Sequence, residues 1–264
     1  FFSILMAFVI AEIFFRVIGI GYGNAPLERS HTYHHVHPSN YQFFMHDPNG
    51  EYGGHYVYYD NLGFRVQNEV SQTNELVDEE KAIIFLGDSF TEGNQVPYNE
   101  TFVSLVSEGL GLPSVNFGVA SYSPLFYELQ VKNITSQFNG DVVVLQIYSN
   151  DFGADKSYLE HAVFNNNTII GINGGKNNAI VSLARNSYLI RFLKKSQLLI
   201  KIIISNKNDT VIPFRVFDIE QDVTDEKLKN TVNIIKRIQA HLAEQDKKLY
   251  VFLIPSKFLS QNNK

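Results

Sequence analysis

Ile83-Ile84-Phe85-Leu86-Gly87-Asp88-Ser89-Phe90-Thr91-Glu92-Gly93 is an apolar run that stops at a glycine and delivers a serine into a tight polar turn. Four apolar residues bounded by turn formers read as a buried strand, and Gly-Asp-Ser after them reads as the start of a helix. N–H groups at a helix N-terminus steady negative charge on a nearby oxygen. Gly, Asp and Ser also suit any ordinary turn or N-cap, so the tripeptide alone names no chemistry.

Two further segments repeat the pattern. Residues 114–124 read Ser-Val-Asn-Phe-Gly-Val-Ala-Ser-Tyr-Ser-Pro, a short strand ending at Gly118. Residues 141–151 read Asp-Val-Val-Val-Leu-Gln-Ile-Tyr-Ser-Asn-Asp, a β-branched strand ending at Asn150 and Asp151. Three strands, each followed by a polar turn and a helical stretch, predict an open parallel α/β sheet whose ligand lies outside the carboxyl ends of the strands. Ser89, Gly118 and Asn150 are expected at one crevice. Their chemistry is complementary: a hydroxyl to attack, a glycine amide and an Asn side-chain amide to donate to the developing oxyanion.

In GDSFTEG (87–93), Asn-Phe-Gly (116–118) and Ser-Asn-Asp (149–151) the chain resembles the first three blocks of the SGNH/GDSL hydrolase family, in the right order and each at a strand end. Asn61-Leu-Gly-Phe-Arg65 resembles the N-x-G-F-R element found before the first block in membrane-anchored members. The resemblance spans roughly residues 40–258. It implies a flavodoxin-like three-layer sandwich with a parallel sheet, and ester hydrolysis through a serine acyl-enzyme without a cofactor or metal. It makes Ser89 the nucleophile, and the Ser89 and Gly118 backbones with the Asn150 side chain the oxyanion hole. Substrates compatible with it are an ester-bearing small molecule, a lipid or an acylated glycan. Acyl transfer to a glycan and a silent carbohydrate-binding module on the same fold stay open as alternatives.

That family carries its activating His, with an Asp shortly before it, in a loop after the last strand. Here Leu249–Ile254 reads as that strand, Pro255-Ser-Lys257 turns, and no Asp-x-x-His follows before Lys264. The expectation is truncation, with the base beyond Lys264 and the chain as given nearly inactive, because a neutral hydroxyl must lose its proton during attack. The other histidines are poorer candidates: His161 in a polar stretch, His241 in an amphipathic helix, and His31, His34, His35, His37, His46 and His55 before the first strand. His34-His35-x-His37 invites a metal reading, but lacks a carboxylate at helical spacing.

Composition bounds the rest. The chain has 264 residues, 44% hydrophobic with 21 Phe, enough for one sizeable domain and an appendage. Its net charge of −5 excludes a basic nucleic-acid stripe, and the absence of Cys excludes disulfides and Cys chemistry. Residues 1–22 are nearly uncharged and read as a membrane-anchor helix, interrupted by Glu12 and Arg16, whose i,i+4 spacing lets them pair. The apolar stretch does not set the side; the resemblance to the SGNH/GDSL family implies a catalytic domain outside the cytoplasm. Residues 23–80 read as a loop-rich, β-containing lead-in and 81–264 as the hydrolase domain.

Finer expectations follow. Helices are predicted over Thr101–Leu110, Pro124–Phe138, the apolar stretch 179–204 and Asp225–Gln245, the last with a surface-helix stripe at Leu228, Val232, Ile235, Ile238 and Leu242. Residues 152–178, polar and rich in Gly and Asn, read as a long loop. Asp88 and Asp151 are expected to organise their turns. Glu92 is expected to suit the helix dipole, and Tyr122 and Ser123 to line the cleft.

Overall fold

In the computed structural model the apolar runs become strands that place all three polar turns on one sheet edge. The structure describes residues 2–18, 26–45, 54–69, 81–166, 168–176, 186–193, 196–197 and 224–254. The chain divides into two compact units, one of residues 1–26, 44–56 and 177–220, the other of 27–43, 57–176 and 221–264.

One sheet is formed by β3 (Gln42–Met45), β4 (His55–Tyr59), β5 (Arg65–Val66), β6 (Ile83–Leu86), β7 (Ser114–Asn116), β8 (Val142–Tyr148) and β11 (Lys248–Ile254), the last five lying wholly in the larger unit. Its order is β11-β8-β6-β7-β5-β4-β3. β6 pairs in parallel with β7 and β8, and β8 with β11, through registers such as Phe85↔Asn116, Leu86↔Leu145 and Ile254↔Tyr148. The parallel part therefore starts in the middle and winds both ways, the doubly wound order of flavodoxin-like sheets. All four residues of β6 are buried, as suits a strand covered on both faces.

Strand alternation sorts the core. Ile84, Leu86, Val143 and Leu145 face one way, with Leu125 and Leu129 of α4 (Pro124–Asn133) and Ile234, Ile238 and Leu242 of α6 (Asp225–Ala243). Ile83 and Phe85 face the other way, with Val103 of α3 (Phe102–Leu110). Helices thus cover both faces of a mixed, mostly parallel α/β sheet. Their starts carry the capping chemistry their sequences offer: Thr101 accepts from Ser104 N at 3.2 Å, Thr224 from Lys227 N at 3.3 Å, and Pro124 opens α4.

Two expectations change. The lead-in does not merely pack on the core: β5 joins the sheet antiparallel to β7 through Arg65↔Asn116, and β4 follows it. The expected loop at 152–178 is instead α5 (Asp151–Leu159) and an antiparallel hairpin of β9 (Ala162–Asn165) and β10 (Thr168–Ile172). A second antiparallel pair joins β1 (Glu28–Arg29) and β2 (His35–Val36).

In the smaller unit, α1 (Phe2–Ile18) forms within the predicted anchor. Among the described residues no helix is long and apolar enough to cross a membrane; residues 19–22 of the predicted anchor lie outside them. Arg16 Nε donates to Glu12 Oε1 at 2.7 Å, the pairing predicted from the spacing. Glu12 also accepts from Ser187 Oγ (2.7 Å) and from the backbone N–H groups of Tyr188 and Leu189 (3.1 and 3.0 Å), capping the helical residues 188–193. The rest of the helix expected over 179–204, apart from 196–197, lies outside the described residues, as do His46 and the turn at 255–257.

Candidate active site

Ser89 is the first residue of α2 (Ser89–Glu92), a single helical turn directly after β6. Asp88 is its N-cap: Oδ1 accepts from Phe90 N at 2.9 Å, the turn-organising role its position predicts. Gly93 closes the turn at φ 63°, a left-handed conformation that a side chain would strain. Ser89 is half-buried, and its hydroxyl hydrogen-bonds to none of the described residues.

The turn is held from beneath by the lead-in. Glu92, in the helical turn where the sequence expected it to suit the dipole, is fully buried. Its Oε1 accepts from Tyr59 OH (2.6 Å) and Asn94 Nδ2 (2.9 Å) and lies 3.2 Å from His37 Nε2. Its Oε2 accepts from Ala120 N at 2.9 Å. Burial pushes the carboxyl up, but His37, Tyr59 and Ala120 outweigh it and hold Glu92 below the ordinary carboxylate range. Arg65, 1% exposed, donates to the carbonyls of Glu92 (2.9 Å), Gly93 and Val96 (2.7 Å). It supplies donors to the carbonyls that a short helix leaves unpaired. The rest of the Asn61–Arg65 element sets up that reach. Asp60 Oδ1 accepts from Leu62 N and Phe64 N, and the Phe64 ring lies 4.4 Å from Phe117.

Gly118 is buried against the same turn: a Cβ there would stand 2.2 Å from Glu92 N, so only glycine fits. Its N–H donates to Asn116 Oδ1 at 2.9 Å, and Asn116 Nδ2 donates to Thr91 O at 2.8 Å. Asn116, given no role from the sequence, ties the second loop to the first. The signal available was an Asn two residues before a turn glycine.

Asn150 is exposed at the end of β8, just before α5. Asp151 Oδ2 accepts from Tyr148 N at 2.8 Å, fixing that turn as expected. The Phe90 and Tyr148 rings approach to 4.6 Å and bring the Ser89 turn alongside the end of β8. β6 and β8 flank the switch point of the sheet, where open α/β sheets form their crevice.

Behind the rim lies an acidic cluster that sequence reading did not assemble. The Gln146 amide, oriented with its nitrogen toward them, is 2.9 Å from both Thr91 Oγ1 and Asp88 Oδ1. Ser123 Oγ donates to Asp155 Oδ1 at 2.5 Å, and Tyr127 OH lies 3.3 Å from Asp151 Oδ1. Burial pushes the Asp88 and Asp155 carboxyls up to about 6. Asp151 is pushed well above the ordinary range by burial and then by the charge of Asp88. Ser123 and Tyr122 are buried, with Tyr122 OH donating to His35 O at 2.8 Å, so neither lines an open cleft as expected.

Of the clustered histidines, His37 parts from the other two, while His34 and His35 meet Nδ1 to Nδ1 at 3.0 Å. His37 sits against Glu92, and its ring stacks on Tyr59 at 4.2 Å. His35 Nε2 is 2.9 Å from Ala120 O, and His34 stands 5.6 Å from His161, ring to ring. His241 lies 3.7 Å from Glu128 on the far helices. Among the described residues no group could hold a metal ion.

No family model matches this chain, and no curated protein matches it. Among solved structures it is similar to AlinE4, an SGNH-hydrolase family esterase, at 14% identity over 65% of this chain and 75% of that one, with a TM-score of 0.27. A serine-to-alanine and an aspartate-to-alanine mutant of AlinE4 match at the same identity and coverage, with TM-scores of 0.28 and 0.27.

Proposed function

We propose that this chain is a serine ester hydrolase of SGNH type. The observation that carries the reading is the setting of Ser89: a free hydroxyl opening a helical turn at the switch point of a doubly wound sheet. Ser89 Oγ attacks an ester carbonyl, the alcohol leaves, and water hydrolyses the acyl-enzyme. The oxyanion is held by Ser89 N–H and Asn150 Nδ2. Gly118 N–H joins them by sharing or releasing its bond to Asn116 Oδ1. The proton of Ser89 passes to a base outside the described residues. The substrate is an acyl ester of a small molecule, lipid or glycan.

Turnover of p-nitrophenyl acetate by the full-length protein tests this. Ser89→Ala is expected to lower the rate at least 100-fold and Asn150→Ala roughly 10²-fold, as for loss of one oxyanion donor. Equal rates for Ser89→Ala and the parent remove the hydrolase reading. They would favour a silent binding module, the second reading, which draws on the lack of any described partner for the Ser89 hydroxyl.

We also propose that α1 attaches the protein to a membrane. Phe2, Ile4, Phe8, Ile10, Ile13 and Val17 are each more than half exposed, while both interrupting charges are engaged inside the smaller unit. Co-sedimentation with lipid vesicles, lost on deletion of residues 2–18, is the check.

A further inference from the structure

A cleft of about 570 Å³, not lined by Ser89, opens on the larger unit between the segments carrying Arg29 and His34, Glu160 and His161, and Asn173 to Gly175. Its walls are firmly built. His34 N donates to Ile172 O (2.6 Å), Gly174 N to Ser30 O (2.7 Å) and Asn173 N to His161 O (2.8 Å). A Cβ on Gly174 would stand 1.7 Å from His34 O, so one wall is bare backbone.

The hydrogen bonds fix the imidazole tautomers. Ala120 O accepts only, so His35 carries its proton on Nε2, 2.9 Å away, and presents a bare Nδ1. His34 Nδ1, 3.0 Å from that Nδ1, must then be the donor. Neutral His34 is left with a bare Nε2, and Arg29 Nη1 stands 3.4 Å from it. Burial, then Arg29 and His161, push the His34 pKa down. A guanidinium at the one open ring nitrogen disfavours a cation there and favours an anion. The groups facing His34 are Arg29 from β1, His35 from β2, Tyr158 from α5, and Glu160, His161 and Asn173 from the turns beyond. Glu160, exposed, is the one acid among them.

We propose that this cleft binds a tetrahedral oxyanion, a phosphate or sulfate group, held by Arg29, by the His161 ring and by protonated His34. Donors converging from separate segments suit several terminal oxygens better than the two of a carboxylate. Binding takes up a proton at His34 Nε2, which turns from acceptor to donor, so affinity rises as pH falls, by about tenfold per unit for one proton.

Sulfate is the probe, because its charge does not change across the range used. Titration of the 264-residue chain at pH 6 and pH 8, followed by histidine ring resonances in NMR and by calorimetry, is expected to show saturable shifts at His34 and His161. Affinity should be at least tenfold tighter at pH 6. Arg29→Gln and His34→Gln should each weaken it tenfold or more. His161→Gln, a change at an exposed ring, serves if His34→Gln fails to fold. Ser89→Ala should bind as the parent does, which separates this site from the hydrolase reading. Acetate binding as tightly as sulfate, equal affinity at both pH values, or no effect of Arg29→Gln and His161→Gln overturns the proposal.

Discussion

Replacing Glu92 by Gln keeps the shape of the side chain and removes one acceptor and the charge from the centre of the buried network. With the Gln oxygen in the place of Oε1, Tyr59 OH and Asn94 Nδ2 keep an acceptor, but Ala120 N–H then faces an amide N–H₂. With the oxygen in the place of Oε2, the conflict moves to Tyr59 and Asn94. At least one hydrogen bond to a charged acceptor is lost, worth about 1.5–3 kcal/mol. The bonds that survive become neutral ones, roughly half as strong, and Arg65 loses a nearby counter-charge. The sum is about 3 kcal/mol, in line with breaking one side of a buried ionic group. For a domain of this size that lowers Tm by roughly 6–12 °C. Thermal and urea unfolding followed by circular dichroism at pH 7.5 measures it, alongside Tyr59→Phe and the double variant. Because both singles disrupt one network, the double variant should cost at least about 1 kcal/mol less than their sum. A Tm within 2 °C of the parent, or strict additivity, would refute the account of Glu92 as the hub that fixes the serine turn.

Other outcomes follow from the same geometry. Gly118→Ala drives a Cβ into the backbone of α2 and should cost about 3 kcal/mol or more, read as loss of soluble protein or a lowered midpoint in urea. Gly109→Ala, in α3 with nothing within 4 Å of the new methyl, should instead gain roughly 0.5–1 kcal/mol. Asp88 has its folded pKa raised by burial to about 6, so its contribution to stability is whole below pH 3.8 and is lost as pH rises through 6. Asp88→Asn keeps an N-cap oxygen for Phe90 N, and urea midpoints between pH 4.5 and 7.5 should show a smaller loss toward neutral pH than in the parent.

What the sequence made legible was the part written in apolar periodicity. β6, β7, β8 and β11, the helices α3 and α6, and the polar turns after the strands sit where alternation and caps predict them, although β11 is largely exposed and α6 buries Thr231, Ile234, Ile238 and Leu242 while Leu228 and Val232 of its predicted stripe are exposed. α5 escaped detection because Asp151–Leu159 has almost no apolar stripe. Tertiary anchors hold it instead: Asp151 on Tyr148 N, and Asp155 on Ser123 and Leu125. The histidines misled for a related reason. His34, His35 and His37 are neighbours in sequence, but His34 and His35 meet Nδ1 to Nδ1 at 3.0 Å while His37 lies against Glu92 and Tyr59. The burial of Glu92 was not legible, since nothing local announces partners 28 to 55 residues away.

The pairing of β5 with β7 has a consequence for how the chain could be severed and rejoined. The leading segment carries a guanidinium and a phenol shaped for three carbonyls and a carboxylate that belong to the polypeptide after residue 81. Cut between 69 and 81, the two pieces would present complementary halves of one lattice of bonds. The later fragment, made alone, would display a raw sheet margin beside β7. Supplying the earlier fragment in trans should mend that margin and rescue solubility, as a donated strand completes an unfinished fold.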